Sequence, residues 1–433
     1  RLQEGHYFTY KNGVMEIHEY WDADYSHKEN YGKEEWVQKI DETVQESIAA
    51  HKISDVEVGS FLSSGVDSSY VAAVLRPDHS FSIGFDDKTY NEAIEARKLT
   101  KMLGLNNTAA VIDGEMSFKA FPLIQYHLDE PDSNPSCVPL YFLANLAAQH
   151  VRVVQSGEGA DELFAGYAAY GWHTNSKMIR VFAQGLKKLP KNIRFKLGRT
   201  LGNMRNFHGR IHLYEATAPA QDFFIGQALV FEEQEAEAVL RQEYTQGPSV
   251  AEIVAPYYQK VAGITEEVNK MQYLDVHQWM PKDILLKADK MSMASSLELR
   301  VPLLDIEVMK LAQTIPTKYL INQHNTKDVF RQAANRHLPE EWANREKLGF
   351  PVPIRAWLKE GTGYQTVKDL FSADFAGEFF DQEKILQLLA DHRAGKQGLQ
   401  RKIWTIFTFL TWYKVFFIDE EIPKAETIVY ETI

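Results

Sequence analysis

The sequence predicts an α/β fold: a parallel sheet with helices on both faces, followed by a largely helical C-terminal part. Three observations point there. Short β-branched runs alternate with helix-periodic ones from about residue 50 to residue 167, which implies parallel strands joined by helical crossovers. Two of these runs lead into serine- and glycine-rich loops, Leu62-Ser63-Ser64-Gly65-Val66-Asp67-Ser68-Ser69 and Gln155-Ser156-Gly157-Glu158-Gly159-Ala160-Asp161-Glu162. Such loops are expected where parallel strands end at a ligand site near a topological switch point. From Ala168 onward strand signals fade and apolar residues recur at helical spacing.

Taken in order, Tyr7 to Tyr10 and Val14 to Tyr20 flank Lys11-Asn12-Gly13, a hairpin signal because Asn-Gly tolerates the positive φ angles of a tight turn. A lone hairpin is marginal in water, and the chain begins at Arg1 without an initiator methionine. Residues 1–21 are therefore expected either to dock as a hairpin on the body, 22–433, or, as the missing methionine favours, to be the last piece of a preceding domain. Trp36, Val37, Ile40, Val44 and Ile48 set out a helix leading into a strand over Val56 to Leu62. The first loop opens a helix, Tyr70 to Leu75, closed near Pro77, and Phe81 to Phe85 is the second strand. Tyr90 to Leu103 is a helix with Ala93, Ala96, Leu99 and Leu103 on one face and Gly104 as its stop. Thr108 to Ile112, Val138 to Ala148 and Val151 to Gln155 follow as strand, buried helix and strand. Within the helical part (168–433), apolar periodicity marks Phe223 to Leu240, Val268 to Leu286, Val308 to Ile315, Ile385 to Leu389 and Ile403 to Phe417.

With 433 residues, 45% hydrophobic and 24% charged, the chain reads as a globular protein of two or three layers or domains. Its net charge of −12 argues against a nucleic-acid partner held through phosphates. The basic run from Lys187 to Arg210 is read as a solvated helical face. A single cysteine, Cys137, excludes an intramolecular disulfide and a cysteine-rich zinc site and suits a reducing cytoplasm. No stretch reaches the roughly 18 apolar residues of a membrane span. Ile403 to Phe417 comes nearest, but Thr405, Thr408, Thr411 and Lys414 interrupt it, so a buried helix is expected there and no membrane partner.

The two loops look like the walls of one nucleotide site. A helix opening directly after a strand turns its free N–H groups and positive end toward an anion, and a polyphosphate is the natural occupant. The first loop lacks the lysine with which a Gly-x-x-x-x-Gly-Lys-Ser/Thr loop holds the β and γ phosphates, so attack at the α phosphorus with loss of pyrophosphate fits better. Ser63 and Ser64 supply hydroxyl and N–H donors, Gly65 lets the backbone approach, and Ser68 and Ser69 line the helix start. Asp67 is the one acid in this anion-seeking loop. It suits a Mg²⁺ on the pyrophosphate, or serves as an N-terminal helix charge.

On these loops, and on Phe81-Ser82-Ile83-Gly84-Phe85, Asp129-Glu130-Pro131, Ser156 to Tyr167, Lys287 to Ala294, Leu297 to Asp305 and Arg345-Glu346-Lys347-Leu348-Gly349-Phe350, the chain resembles the synthetase portion of glutamine-dependent asparagine synthetase over about residues 22 to 417. That portion belongs to the ATP-pyrophosphatase (PP-loop) group, whose fold is the Rossmann-like, adenine-nucleotide α-hydrolase-like sheet. The Ser-Gly-Glu-Gly-Ala-Asp-Glu block is the most specific element of the resemblance. Ser64 departs from the commoner second glycine of the first loop without removing much room. The family's glutaminase half uses an amino-terminal cysteine, whereas this chain opens with Arg1; residues 1–21 are thus expected to be a remnant of that half, and glutamine hydrolysis is not a capacity of the residues shown.

The resemblance implies an ATP-dependent, AMP-forming ligase that joins aspartate to ammonia through β-aspartyl-AMP. It implies Mg²⁺ on Asp67 and Asp161, and Lys347 as the cation that neutralises the α phosphate and then the tetrahedral oxyanion. Glu158 is assigned to substrate positioning and to accepting the ammonia proton, with bracing of the backbone as its rival. Leu62, Val66 and Ile83 frame the nucleotide, and Ser156 and Gly157 reach it. Lys287, Asp289 and Arg300 either orient the aspartate's charged groups or pair structurally between helices. A related amide or lactam synthetase acting on another carboxylate, and a non-catalytic nucleotide-binding module, are the alternatives. Aspartate, ammonia, ATP and a glutaminase domain are the expected partners; the oligomeric state, a homodimer included, is left open.

Overall fold

In the computed structural model, residues 1–87, 91–171, 177–202, 204, 210–322, 325–345, 352–424 and 428–432 are described. The hairpin forms as expected: β1 (His6–Lys11) and β2 (Val14–Glu19) pair antiparallel with Lys11 opposite Val14. Asn12 and Gly13 carry the turn at φ +53° and +79°. Both faces of this ribbon are open, with Tyr7, Phe8, Tyr10, Met15 and Ile17 all exposed. Its far end is tied to the body by Lys260, 2.5 Å from Glu19 and 2.9 Å from Asp22.

The body is built on β3 (Val58–Phe61), β4 (Ser80–Phe85), β5 (Asn107–Ile112), β6 (Val153–Gln155), β7 (Glu298–Arg300) and β8 (Glu431–Thr432). Among the described residues the sheet order is β7-β6-β3-β4-β5-β8, all neighbours parallel except β8, which closes the β5 edge antiparallel. The chain runs outward from β3 through β4 to β5 and then returns to the other side of β3 as β6. Strand order reverses between β3 and β6, and there the carboxyl ends open a crevice.

Helix α1 (Lys33–Ala50) leads into β3, and the crossovers are α2 (Val66–Leu75), α3 (Glu92–Leu103), α4 (Gly114–Leu128) and α5 (Cys137–Ala148). They divide between two cores. Trp36, Ile40, Tyr70, Val71 and Leu99 pack on one face of the sheet, while Phe81, Ile83, Phe85, Phe121 and Leu143 pack on the other. Each large side chain buried in this way contributes roughly 1.5–3 kcal/mol. Alternation along β4 explains the sorting, since Phe81, Ile83 and Phe85 project to one face and Ser80 and Ser82 to the other. Helix α5 is apolar on nearly every side and is accordingly enclosed.

Several expected elements differ in extent. Helix α2 begins at Val66, immediately after Gly65, so Asp67, Ser68 and Ser69 stand in its first turn and the loop proper is only Leu62 to Gly65. Helix α4 had no counterpart in the sequence reading: Pro122 sits inside it, and its start depends on the Asp113 side chain accepting from Met116 N at 2.8 Å. The Phe223 to Leu240 helix shrinks to Glu233–Val239, because Gly226 takes φ +98° and breaks the periodic run. Val268 to Leu286 divides into α6 (Glu267–His277), a wide π turn over Met280–Ile284, and α7 (Leu285–Met293). Pro281 lies in that turn and cannot donate a helical hydrogen bond.

Candidate active site

The two serine-glycine loops meet at the β3–β6 crevice. A Cβ built on Gly157 would lie 2.5 Å from Ser68 N and 2.6 Å from the Asp67 carbonyl carbon, so the second loop rests directly on the first turn of α2 and only glycine fits there. Within the first loop the polar groups hold one another: Ser63 N donates to Ser68 Oγ at 3.1 Å, the two hydroxyls are 2.9 Å apart, and Gly65 N donates to Ser63 Oγ at 3.1 Å. The loop is therefore preformed. It walls a cavity of about 470 Å³, within the roughly 300–1,000 Å³ range of small-ligand sites.

Across the crevice the two loop acids converge on one cation. Lys327, 1% exposed, donates to both carboxylate oxygens of Asp67 at 2.7 Å and lies 2.7 Å from Asp161 Oδ1. Burial alone would push this ammonium down, but Asp161 and Asp67 hold it above its ordinary value. Lys327 adopts a left-handed φ of +56° just before α8 (Asp328–Ala334). Its stem passes so close to Gly166 that a Cβ there would meet Lys327 Cε at 2.0 Å. Arg331, one turn further along α8, also lines the cavity and feels both acids.

A second group of charges lies at the end of the cavity that holds Glu158. Lys287, 4% exposed, pairs with Asp283 at 3.1 Å. Burial lowers it, whereas Asp283, Glu158 and Asp132 together raise it above its ordinary value. Asp283 also accepts from Asn134 Nδ2 at 2.6 Å, and Asp132 Oδ1 accepts from Asn134 N at 2.9 Å. Burial and the neighbouring Asp283 carboxylate push Asp132 upward. The wide turn at Met280–Ile284 sets Trp279, Ile284 and Lys287 on the cavity wall.

Leu62 and Ile83 line the cavity where adjacent strands end, beside Phe61, Leu140 and Leu143. Ser64 is hydrogen-bonded to Glu92, whose carboxyl is pushed up to about 7 by burial, opposed by Ser64 and by Arg345. A serine in place of glycine thus anchors α3 to the loop.

Of the residues singled out from sequence, Leu62, Ser63, Ser64, Gly65, Val66, Asp67, Ser68, Ile83, Ser156, Gly157, Glu158, Asp161 and Lys287 all line this cavity. Others do not. Arg300 faces away: its guanidinium binds Glu298 at 2.7 Å and the carbonyls of His51 and Ile53 at 2.8 and 2.7 Å, locking β7 to the end of α1. Only its carbonyl serves the site, accepting from Ser156 N at 3.0 Å. Asp289 is exposed on the outer face of α7 and lines no part of the cavity. Ser69 is fully buried beneath the loop. Lys347 falls outside the described residues. Sequence reasoning missed Glu92, at the start of α3, and Lys327, Arg331, Trp279 and Arg401, which reach the cavity from far along the chain; no local motif marks them.

This is a nucleotide-sized crevice at a switch point, framed by both loops. The family model for asparagine synthase matches residues 39–414. The chain belongs to the asparagine synthase family. Glutamine-hydrolyzing asparagine synthetase 1 of Bacillus subtilis is 36% identical over 420 residues, covering 96% of this chain and 65% of that protein. A putative glutamine-hydrolyzing asparagine synthetase of Mycobacterium tuberculosis is 34% identical over 400 residues, 90% of this chain and 60% of its own length. Amidase chyE of Penicillium rubens is 25% identical over 415 residues, 86% and 61% respectively. The chain thus spans less than two thirds of the length of these relatives.

Proposed function

We propose that this chain carries out the synthetase reaction of its family: ATP-dependent formation of asparagine from aspartate and ammonia, with release of AMP and pyrophosphate. The observation that carries the reading is the sharing of one buried lysine, Lys327, by Asp67 and Asp161 across the β3–β6 crevice. It joins both serine-glycine loops around the space where a triphosphate would lie.

The β-carboxylate oxygen of aspartate attacks the α phosphorus, the bond to the β phosphate breaks, and pyrophosphate leaves. Ammonia then attacks the acyl carbon, AMP departs with the bridging oxygen, and Glu158 accepts the proton lost by nitrogen. An anionic nucleophile approaching an anionic phosphate needs cationic screening. Lys327 and Arg331 stand at that end of the cavity, and Lys347 is assigned the same work by resemblance. Among the described residues no three His, Cys, Asp or Glu form a metal cage, but the oxygen donors of Asp67 and Asp161 suit Mg²⁺, which is commonly held by one or two carboxylates plus phosphate oxygens. Bound there, it would add charge screening on the phosphates. The relatives named glutamine-hydrolyzing support a glutaminase domain as the ammonia source.

The test is a pyrophosphate-release assay with Mg·ATP, L-aspartate and ammonium. Pyrophosphate, AMP and asparagine in equal amounts are expected, each dependent on aspartate. ADP in place of AMP, or indifference to any added acid, would refute the reading.

A further inference from the structure

We propose that Arg401, carried into the cavity by the C-terminal helix α9 (Gln400–Tyr413), receives a second carboxylate of the acid substrate, the one that is not adenylated. The inference rests on the ligase reading and deepens it by naming the residue that holds the acid's second carboxylate.

The cationic side chains that face the cavity differ in what already occupies them. Lys327 is surrounded by Asp67 and Asp161, and its nearness to both loops assigns it to the phosphates. Lys287 is engaged by Asp283. Arg401 lines the same cavity and stands in the field of Asp283 and Asp132, the acids that also face Lys287. It therefore belongs to the Glu158 end. Yet the Arg401 Nε is buried without a hydrogen-bond partner. A buried donor left unmade is costly, and a guanidinium fork is shaped for a carboxylate held by two parallel hydrogen bonds. The surroundings fix its orientation: Trp404 and Ile403, on the next turn of α9, are 1% and 0% exposed in the core, and Thr405 is tied to Ser133 at 3.2 Å. With Lys287 lining the same cavity, the unmatched Arg401 Nε offers a ligand carboxylate a donor that no side chain among the described residues takes up, so one carboxylate is anchored while the other is free to approach the α phosphorus.

The experiment compares wild type with Arg401→Met and Arg401→Lys in the full chain, measuring KM for L-aspartate, KM for ATP and kcat. Arg401→Met is expected to raise the aspartate KM about 10- to 100-fold, leave the ATP KM within about twofold, and lose preference for aspartate over 3-aminopropanoate, which lacks the second carboxylate; Arg401→Lys should recover part of the loss. An unchanged aspartate KM in folded Arg401→Met, or a parallel rise in the ATP KM, overturns the proposal. If that variant does not fold, the wild type decides: equal use of aspartate and 3-aminopropanoate overturns it while leaving the ligase reading intact. If wild type releases pyrophosphate with no acid at all, the ligase reading fails. The Arg401 site then stands only if calorimetry with a non-hydrolysable ATP analogue shows L-aspartate binding that Arg401→Met weakens.

Discussion

The two charged ends of the cavity are built in opposite ways. At the end where the loops meet, the carboxylates of Asp67 and Asp161 face the cavity and the cation that joins them, Lys327, is almost wholly enclosed. At the Glu158 end the cations Lys287 and Arg401 face the cavity, and the acids Asp132 and Asp283 sit behind them. The first arrangement closes on itself and holds two chain segments in register before any ligand arrives. The second leaves a donor unmatched and so has work left for a ligand. Preorganisation at one end and an open valence at the other is what a site needs if a phosphate chain must be placed first and an acid brought to it.

The strongest way to break this contrast is to remove the shared cation. Lys327→Met leaves two acids facing each other in a poorly solvated cleft, and the loss of one partner from a buried ion cluster costs about 3–5 kcal/mol. Chemical denaturation should show a loss of this size, with part of it recovered by adding Asp67→Asn. A loss below about 1 kcal/mol would mean that the cluster is not holding the loops together.

Glu92 sharpens the comparison through pH. Burial raises its folded-state carboxyl from the usual 4.5 to about 7, so the folded protein binds this proton more tightly than the unfolded chain. Its contribution is favourable at low pH and is lost as pH rises from about 4.5 through about 7. Glu92→Gln should remove that slope and improve stability above pH 7 by about 1–3 kcal/mol, read from melting curves at pH 5, 6, 7 and 8. An identical slope in the variant would place the titration elsewhere, on other buried acids such as Asp275, also raised to about 7 by burial.

Gly157→Ala addresses the docking of the loops directly. Its methyl would press on Ser68 N, and overpacking of this kind costs about 1–3 kcal/mol, so ATP affinity should fall by roughly tenfold in calorimetry. Unaltered affinity would show that the loops can separate without consequence. The smallest effect is expected for Arg300→Met: about 1–2 kcal/mol from its hydrogen bonds to His51 and Ile53, with no change in the aspartate KM. A raised KM would return Arg300 to the substrate site from which its geometry removes it.

Much of this arrangement was legible in the sequence. The alternation of β-branched and helical runs laid out β3 to β6, and Asn12-Gly13 marked its hairpin, because these signals act over a few residues. The loop residues Leu62 to Ser68 and Ser156 to Asp161 could be recognised for the same reason. The three-residue strand β7 could not: it pairs only because β6 is already beside it, and its own residues, Glu-Leu-Arg, carry no strand pattern. The end of the long Val268 to Leu286 periodicity at Met280–Ile284 was equally hidden, since a wide turn keeps the apolar spacing on either side.

Local chemistry by itself determined which segments become strands, which turn sharply, and which strands end in serine-glycine loops. Only the folded chain decided who meets whom: that Lys327 lies between acids 260 residues before it in the case of Asp67, that Arg401 enters the same cavity from the C-terminal helix, and that Arg300 and Asp289 do not enter it. The reason is physical. Propensity and turn geometry are properties of neighbouring residues, whereas the placement of a charge depends on which distant helix the hydrophobic cores draw against the sheet.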